Sequence, residues 1–250
     1  MSVDIWEQCR GRTHFKPLAY AAIRMVESQE YVATTSLVDN LDEQGILETL
    51  LEQTKPPTST VDRRYLLAAP FRYPPLKYGS RFGGYFEPSL FYASLNITTV
   101  LAETAYYRLV FLDGMSTPWK NPLITEHTAF RINIKTDRGV RLQAPPFNKY
   151  AEQLTSPSSY TTTQSLGSEM RDAGVEAFQF ISARDLEAGV NTGVFVPSAI
   201  ISRKPRDLQQ WICHTTSERV GFRAVKTNET PYHFRRSQFC VNKQLPQPAL

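Results

Sequence analysis

The sequence predicts an α+β fold built on a mixed β-sheet, because predicted strands outnumber helices and the two do not alternate regularly. Phe130, Ile132 and Ile134 alternate with polar residues, a pattern typical of a strand at the edge of a sheet. Residues 98–110 instead carry apolar side chains at helical spacing. The 250 residues suffice for one domain with an appendage or for two small domains.

The N-terminal part, residues 1–55, is predicted to be a small helical region. A second helix in this region begins at Asn40, an N-cap residue followed three positions later by Glu43. Prolines in segment 54–60 then end the helix. We favour a helical cap that packs on the main domain, and the alternative is a partner-binding or substrate-gating arm. Its apolar residues at helical spacing are Leu18, Ala21, Ala22, Met25 and Val26.

The main domain is predicted to span residues 62–241. A helix over residues 160–173 ends at Gly174, a typical C-terminal cap. The tail, residues 242–250, has few apolar side chains to bury, and we expect it to be flexible. Strands of this domain are predicted at 89–95, 175–181, 193–197, 211–215 and 220–225.

The composition excludes several classes of protein. No window approaches the ~18 uninterrupted apolar residues of a membrane-spanning helix, and the first residues lack the apolar core of a secretory signal. Three distant cysteines, at positions 9, 213 and 240, argue against a disulfide or zinc framework and favour a reducing, cytoplasmic location. The net charge of +4 permits an anionic ligand without requiring nucleic acid.

Two arginines are candidates for binding phosphate oxygens, which the guanidinium fork suits well. Arg72 follows the apolar run LLAAPF, which predicts that a strand anchors its backbone. Arg81 precedes Gly83 and Gly84, which would let backbone amides approach a ligand closely. Each feature alone is more often a solvated side chain or an ordinary turn. The Rossmann and P-loop glycine motifs are both missing.

Glu103 is the candidate catalytic carboxylate. It lies near the start of an apolar helix, where a glutamate is either paired or functional because burying a lone charge is costly. A salt bridge to Arg108 or Arg72 is the structural alternative, and the sequence alone favours it. Tyr92, in the middle of a predicted strand, can stack on a ligand ring or simply belong to the core.

Ser182 ends the apolar run FQFI, where a hydroxyl can orient a ligand amide or cap the next turn. Other chemistries are not indicated, because the four histidines are scattered and the HExxH and GxSxG motifs do not occur. Cys213 and His214 are adjacent in a predicted strand, so their side chains point to opposite faces and form no catalytic pair.

Taken in order along the chain, these features resemble the RES domain, a family named for its Arg, Glu and Ser. The resemblance covers about residues 69–200, and the ordered series is more specific than any single motif. Its elements are FR at 71–72, RFGG at 81–84, FYAS at 91–94, LAE at 101–103, YTTTQSLG at 160–167 and FISAR at 180–184.

The resemblance implies a mixed sheet similar to the diphtheria-toxin type of ADP-ribosyltransferase, with NAD consumed as a substrate and no metal. It implies that Arg72 and Arg81 hold the NAD phosphates or ribose, and that Tyr92 packs on the nicotinamide end. Glu103 would stabilise the ribosyl cation, and Ser182 would orient the amide or the glutamate.

The sequence differs from the pattern of many RES domains at two places. Some members place a functional serine where this chain has Thr161, and we rank Ser182 above Thr161. Many members read GGRW, whereas here the two glycines are followed by Tyr85 and Phe86, which leaves the exact reaction open.

The family consists mostly of bacterial toxins, so the resemblance implies a growth-arresting NAD glycohydrolase or phosphorylase. The alternatives are a mono-ADP-ribosyltransferase with a protein acceptor, and a non-enzymatic nucleotide- or protein-binding module. A cognate Xre-type antitoxin is expected to occlude the active site. The resemblance is compatible with a homodimer within a toxin–antitoxin hetero-oligomer. We expect the toxin to bind no membrane and, by itself, no nucleic acid.

Overall fold

The computed structural model describes residues 4–28, 63–72, 77–116, 121–225 and 230–248; the side chains of residues 28, 63–65 and 72 are outside this description. The α-helices of the described residues are α1 (Ile5–Gln8), α2 (Arg63–Arg72), α3 (Ile97–Asp113), α4 (Ala151–Leu154) and α5 (Thr161–Asp172). The strands are β1 (Lys16–Ser28), β2 (Phe91–Ser94), β3 (Leu123–Arg141), β4 (Ala177–Ile181), β5 (Val190–Val194), β6 (Arg206–Thr215), β7 (Arg219–Ala224) and β8 (Tyr232–Arg235).

All eight strands belong to one mixed sheet, in the order β1-β2-β5-β4-β3-β6-β7-β8. Strand β1 also pairs with β3, so five strands close into a ring from which β6, β7 and β8 extend. The β3–β4 pair is parallel and the other pairs are antiparallel. This large mixed sheet with few helices confirms the predicted α+β class.

The prediction that residues 18–26 belong to a helical region is wrong, because this segment lies within strand β1. It pairs antiparallel with β3 from Lys16 to Ser28. Ala22 and Ile23 lie in two different core clusters, so both faces of β1 are covered. A strand buried on both faces lacks a clear two-residue period, which is why its apolar positions also fit a helix. The predicted helix from Asn40 and the joint at 54–60 lie outside the described residues.

The expectation that the strand around Ile132 lies at an edge of the sheet is also wrong. Strand β3 has 19 residues and pairs with β1, β4 and β6. Phe130, Ile132 and Ile134 are buried, whereas Arg131 and Lys135 are exposed. The alternation therefore reports burial of one face and not the position of the strand in the sheet.

Helices α3 and α5 confirm the predicted helices. The side chain of Asn96 caps α3 by accepting a hydrogen bond of 2.8 Å from the Thr99 amide. Gly174, two residues after the end of α5, has a φ of 79°, which glycine adopts without strain. Strand β5 begins three residues earlier than predicted, and β8 was not predicted.

The described part of the predicted tail packs against the domain. Leu245 is buried in a core cluster, and the Tyr106 hydroxyl donates a hydrogen bond of 2.6 Å to the Pro246 carbonyl. The expectation that this segment has little to bury is therefore wrong for residues 242–248. Among the described helices, none is long and apolar enough to cross a membrane. The predicted division of the chain at 55–62 stays a prediction.

Candidate functional site

A cavity of about 400 Å³ opens where β1, β2 and β5 meet α3, within the size range of small-molecule sites. Its lining brings together residues that are far apart in the sequence. The lining residues with charged or hydrogen-bonding groups include Arg24, Arg81, Tyr92, Glu103, Arg108 and Asn191.

Glu103 lines this cavity from the second turn of α3. One carboxylate oxygen, Oε1, accepts two hydrogen bonds of 2.6 Å, from the Ser182 hydroxyl and from the Asn191 amide. Within the described residues, the other oxygen, Oε2, accepts none. Arg108 donates to Glu27 at 2.8 Å, so it is not the ion-pair partner of Glu103. The arrangement fixes one oxygen of the carboxylate and leaves the other available to a ligand.

Ser182 reaches Glu103 from outside the cavity lining. It follows β4, is buried, and accepts hydrogen bonds of 3.1 Å from the amides of Arg184 and Asp185. Both contacts use hydroxyl lone pairs, so the hydroxyl proton points to Glu103. Thr161, the alternative hydroxyl, is exposed at the first residue of α5 and does not line the cavity.

Arg81 lines the cavity, but its guanidinium is already bound to main-chain oxygens. Nη1 donates to the carbonyls of Ser156 at 3.0 Å and Leu154 at 3.4 Å. The guanidinium carbon lies 4.5 Å from the centre of the Tyr160 ring. Arg81 therefore supplies a fixed positive charge whose position is set by the loop before α5.

The two glycines after Arg81 do not form the expected cradle of amides. The Gly84 amide donates to the Glu87 carboxylate at 2.6 Å, and the Gly83 amide donates to the Ser80 carbonyl at 3.4 Å. Neither glycine lines the cavity. Their amides close a local turn and are not presented to a ligand.

Tyr92 lies on β2 with its ring against the cavity and its hydroxyl group bound inside the protein. The hydroxyl oxygen accepts from the Phe82 amide at 2.9 Å and lies 3.0 Å from the Ser80 hydroxyl. Burial raises the pKa of Tyr92, so its hydroxyl stays neutral. The phenol thus keeps a fixed orientation that exposes part of its ring to the cavity.

Arg72 is the last residue of α2, so the prediction that a strand anchors it is wrong. A short apolar run such as LLAAPF has no period that separates a strand from a buried helix. The side chain of Arg72 lies outside the described residues, and its predicted role stays a prediction.

Arg24 is the cavity arginine that motif reasoning missed. Its Nη1 donates to the Tyr92 carbonyl at 2.9 Å, and its guanidinium carbon lies 4.6 Å from the Phe91 ring centre. Burial lowers the pKa of Arg24 to about 10, so it remains charged at neutral pH. Its Nε is buried and has no partner among the described residues. The sequence signal for Arg24 was a single arginine within an apolar segment. The prediction of helical structure for residues 18–26 hid its position on a strand.

A second polar group also lines the cavity. Arg108 pairs with Glu27, and His127 lies beside them with its Nε2 2.9 Å from the Thr125 hydroxyl. Burial, followed by the nearby charge of Arg108, lowers the pKa of His127 to about 4. No sequence motif indicated this group, because its members come from β1, α3 and β3.

A family model for the RES domain matches residues 57–216, which is more than half of the chain. The chain belongs to the RES domain family. The matched part of the RES domain contains Glu103, Ser182 and Asn191, whereas Arg24 and Glu27 precede it. The fold is similar to a chain in the crystal structure of the M. tuberculosis MbcT–MbcA toxin–antitoxin complex, with 9% identity and a TM-score of 0.48. That alignment covers 85% of this chain and 92% of the other.

No curated protein matches the sequence. Among the described residues of this RES domain, no group of three or more His, Cys, Asp and Glu side chains is placed to hold a metal ion.

Proposed function

We propose that this RES domain cleaves NAD at the nicotinamide–ribose bond and acts as a toxin that arrests growth. The observation that carries the proposal is the Glu103 carboxylate, bound through Oε1 while it lines a cavity with a surplus of arginines. Three arginines and two glutamates line the cavity, which favours a ligand with negative charge.

The chemistry needs little beyond this carboxylate. The bond between ribose C1′ and the nicotinamide nitrogen breaks, and its electron pair leaves with neutral nicotinamide. The positive charge that develops on the ribose lies where the free oxygen of Glu103 can stabilise it. Water, phosphate or a protein side chain then attacks C1′ and releases a proton.

The remaining lining residues fit the other parts of the substrate. Arg24 has a buried Nε with no partner in the part of the chain that the structure describes, and a phosphate oxygen is the kind of acceptor that a guanidinium prefers. The ring of Tyr92 provides an apolar surface for the nicotinamide. The proposal includes the predicted similarity to ADP-ribosyltransferases of the diphtheria-toxin type. The large mixed sheet supports this similarity only in fold class.

The reaction is tested by incubating purified protein with NAD and measuring free nicotinamide by chromatography. Three parallel samples contain buffer alone, phosphate, or cell lysate with NAD labelled in the adenylate part. Free ADP-ribose indicates hydrolysis, its phosphorylated product indicates phosphorolysis, and a labelled protein band indicates ADP-ribosyl transfer. Absence of nicotinamide release in all three would refute the proposal.

We further propose that an Xre-type antitoxin partner covers the cavity. Membership of the RES family supports this, and so do two exposed aromatic side chains on α3. Tyr107, which lines the cavity, and Phe111, one turn later, are both more than half exposed. Co-purification with the product of the neighbouring gene tests the partner. If the complex forms while NAD cleavage is unaffected, the partner does not occlude the site.

A further inference from the structure

Asn191 lies behind Glu103 in a chain of hydrogen bonds that begins on β2. Ser94 and Asn191 face each other as paired residues of β2 and β5, and both side chains are buried. The Ser94 hydroxyl contacts Asn191 Oδ1 at 2.5 Å, and Asn191 Nδ2 contacts Glu103 Oε1 at 2.6 Å. Glu103 is 88 residues away from Asn191 in the sequence, so only the fold creates this contact.

The donor and the acceptor of each hydrogen bond between Ser94, Asn191 and Glu103 follow from the chemistry of the three side chains. An ionised carboxylate only accepts, so the Asn191 atom that faces Glu103 must be the amide nitrogen. The amide oxygen then faces Ser94, whose hydroxyl must donate to it. The Glu103 carboxylate therefore sets the orientation of the amide, because a reversed amide would point its oxygen at Glu103, and Ser94 holds the amide oxygen in place.

We infer that Asn191, held by Ser94, is a positioning residue for Glu103, and that it sets the direction of the free carboxylate oxygen. Ser182 and Asn191 hold the same oxygen from two sides, so rotation of the carboxylate breaks both bonds at once. This inference rests on the proposed NAD cleavage and adds Asn191 and Ser94 to the residues that it requires.

The kinetic test compares four variants in nicotinamide release from NAD. Asn191→Ala and Asn191→Asp should each lower kcat about 10²-fold, the scale for a misplaced reacting group, with KM nearly unchanged. Ser94→Ala should lower kcat because Asn191 then loses the hydrogen bond that holds its amide oxygen. Ser94→Thr retains the hydroxyl and should restore most of kcat.

The matched control is Thr192→Val on the same strand. Thr192 is fully buried and donates to the Phe178 carbonyl at 2.8 Å, on the face away from the cavity. Its replacement should lower the unfolding temperature and leave kcat unchanged. A loss of kcat in Thr192→Val equal to that in Asn191→Ala would mean that any buried polar contact of β5 has the same effect, and the inference would be wrong.

A second measurement does not depend on activity. The side-chain amide of Asn191 is observed by NMR in the wild-type protein, in Ser94→Ala and in Glu103→Ala, which removes the accepting oxygen. A hydrogen-bonded amide proton that exchanges slowly in the wild type and rapidly in both variants supports the inference, even if NAD is not cleaved. Rapid exchange in the wild type overturns it. A higher KM with unchanged kcat in Asn191→Ala also overturns it, because Asn191 would then bind substrate directly.

If the wild-type protein releases no nicotinamide, the proposed function fails, and the NMR result alone decides whether Asn191 holds Glu103.

Discussion

Arg24 Nη1 donates a hydrogen bond of 2.9 Å to the main-chain oxygen of Tyr92 and so fastens β1 to the strand that carries part of the site. The contact spans 68 residues and joins a segment before the family match to a segment within it. The N-terminal strand therefore contributes to the cavity itself, and a fragment limited to the matched residues would lack one of its arginines.

Replacement of Arg24 by methionine keeps a long side chain and removes the charge. We expect KM for NAD to rise about 10-fold or more, because one charge-assisted hydrogen bond to phosphate is lost. The measurement is steady-state nicotinamide release. Arg138→Met is the control, since Arg138 also donates to main-chain carbonyls, at Ala173 and Gly174, but lies outside the cavity lining. Equal KM values for both variants and the wild type would contradict a substrate contact at Arg24.

Replacement of Glu103 by glutamine keeps the shape of the side chain and removes its charge. Oε1 can still accept from Ser182 and Asn191, so we expect the protein to fold. Nicotinamide release should fall about 10²-fold or more, the scale for losing one electrostatic stabiliser of a transition state. The exposed Glu152→Gln serves as the control for surface charge. A folded and fully active Glu103→Gln protein would remove the centre of the proposed mechanism.

The sequence was a good guide where local signals decide the structure. Gly174 predicted the end of α5, and it lies two residues beyond the last helical residue with a φ of 79°. A cap signal of this kind acts over three or four residues, and no distant contact overrides it here. The order of FYAS and LAE along the chain also directed attention to Glu103 and Tyr92, both of which line the cavity.

The sequence was a poor guide where distant pairing decides the structure. Strand β1 forms because β3 pairs with it from Lys16 to Ser28, and the paired residues lie 98 to 123 positions apart in the chain. Arg24 and Asn191 enter the site through strand pairings, and their local sequence carries no motif for that position. The diglycine turn shows the opposite error. Its pattern predicted backbone amides that face a ligand, whereas the amides of Gly83 and Gly84 form hydrogen bonds within the turn.

The contact between α5 and the turn after Arg81 leaves no room for a side chain at Gly167. A Cβ added there would lie 2.1 Å from the Phe82 carbonyl oxygen, which is backbone and cannot move aside alone. We expect Gly167→Ala to lower the free energy of unfolding by about 1–3 kcal/mol, the usual cost of overpacking. Gly84→Ala is the control, because its nearest contact would be 3.4 Å, to the Glu87 side chain. Equal unfolding curves for the two variants would show that α5 can shift freely.

The burial of His127 makes the stability of the fold depend on pH. Because burial lowers its pKa from the ordinary 6.5 to about 4, the unfolded chain takes up this proton first as the pH falls. The neutral side chain therefore contributes its full stability above about pH 6.5, and the contribution is lost as the pH falls toward 4. The shift corresponds to at most about 3 kcal/mol.

Urea unfolding between pH 4.5 and 7.5 should show a shallower pH dependence for His127→Gln than for the wild type. His214→Gln, at an exposed position, should follow the wild type. If His127→Gln has the same pH dependence as the wild type, then the imidazole of His127 is protonated in the folded protein as readily as in the unfolded chain.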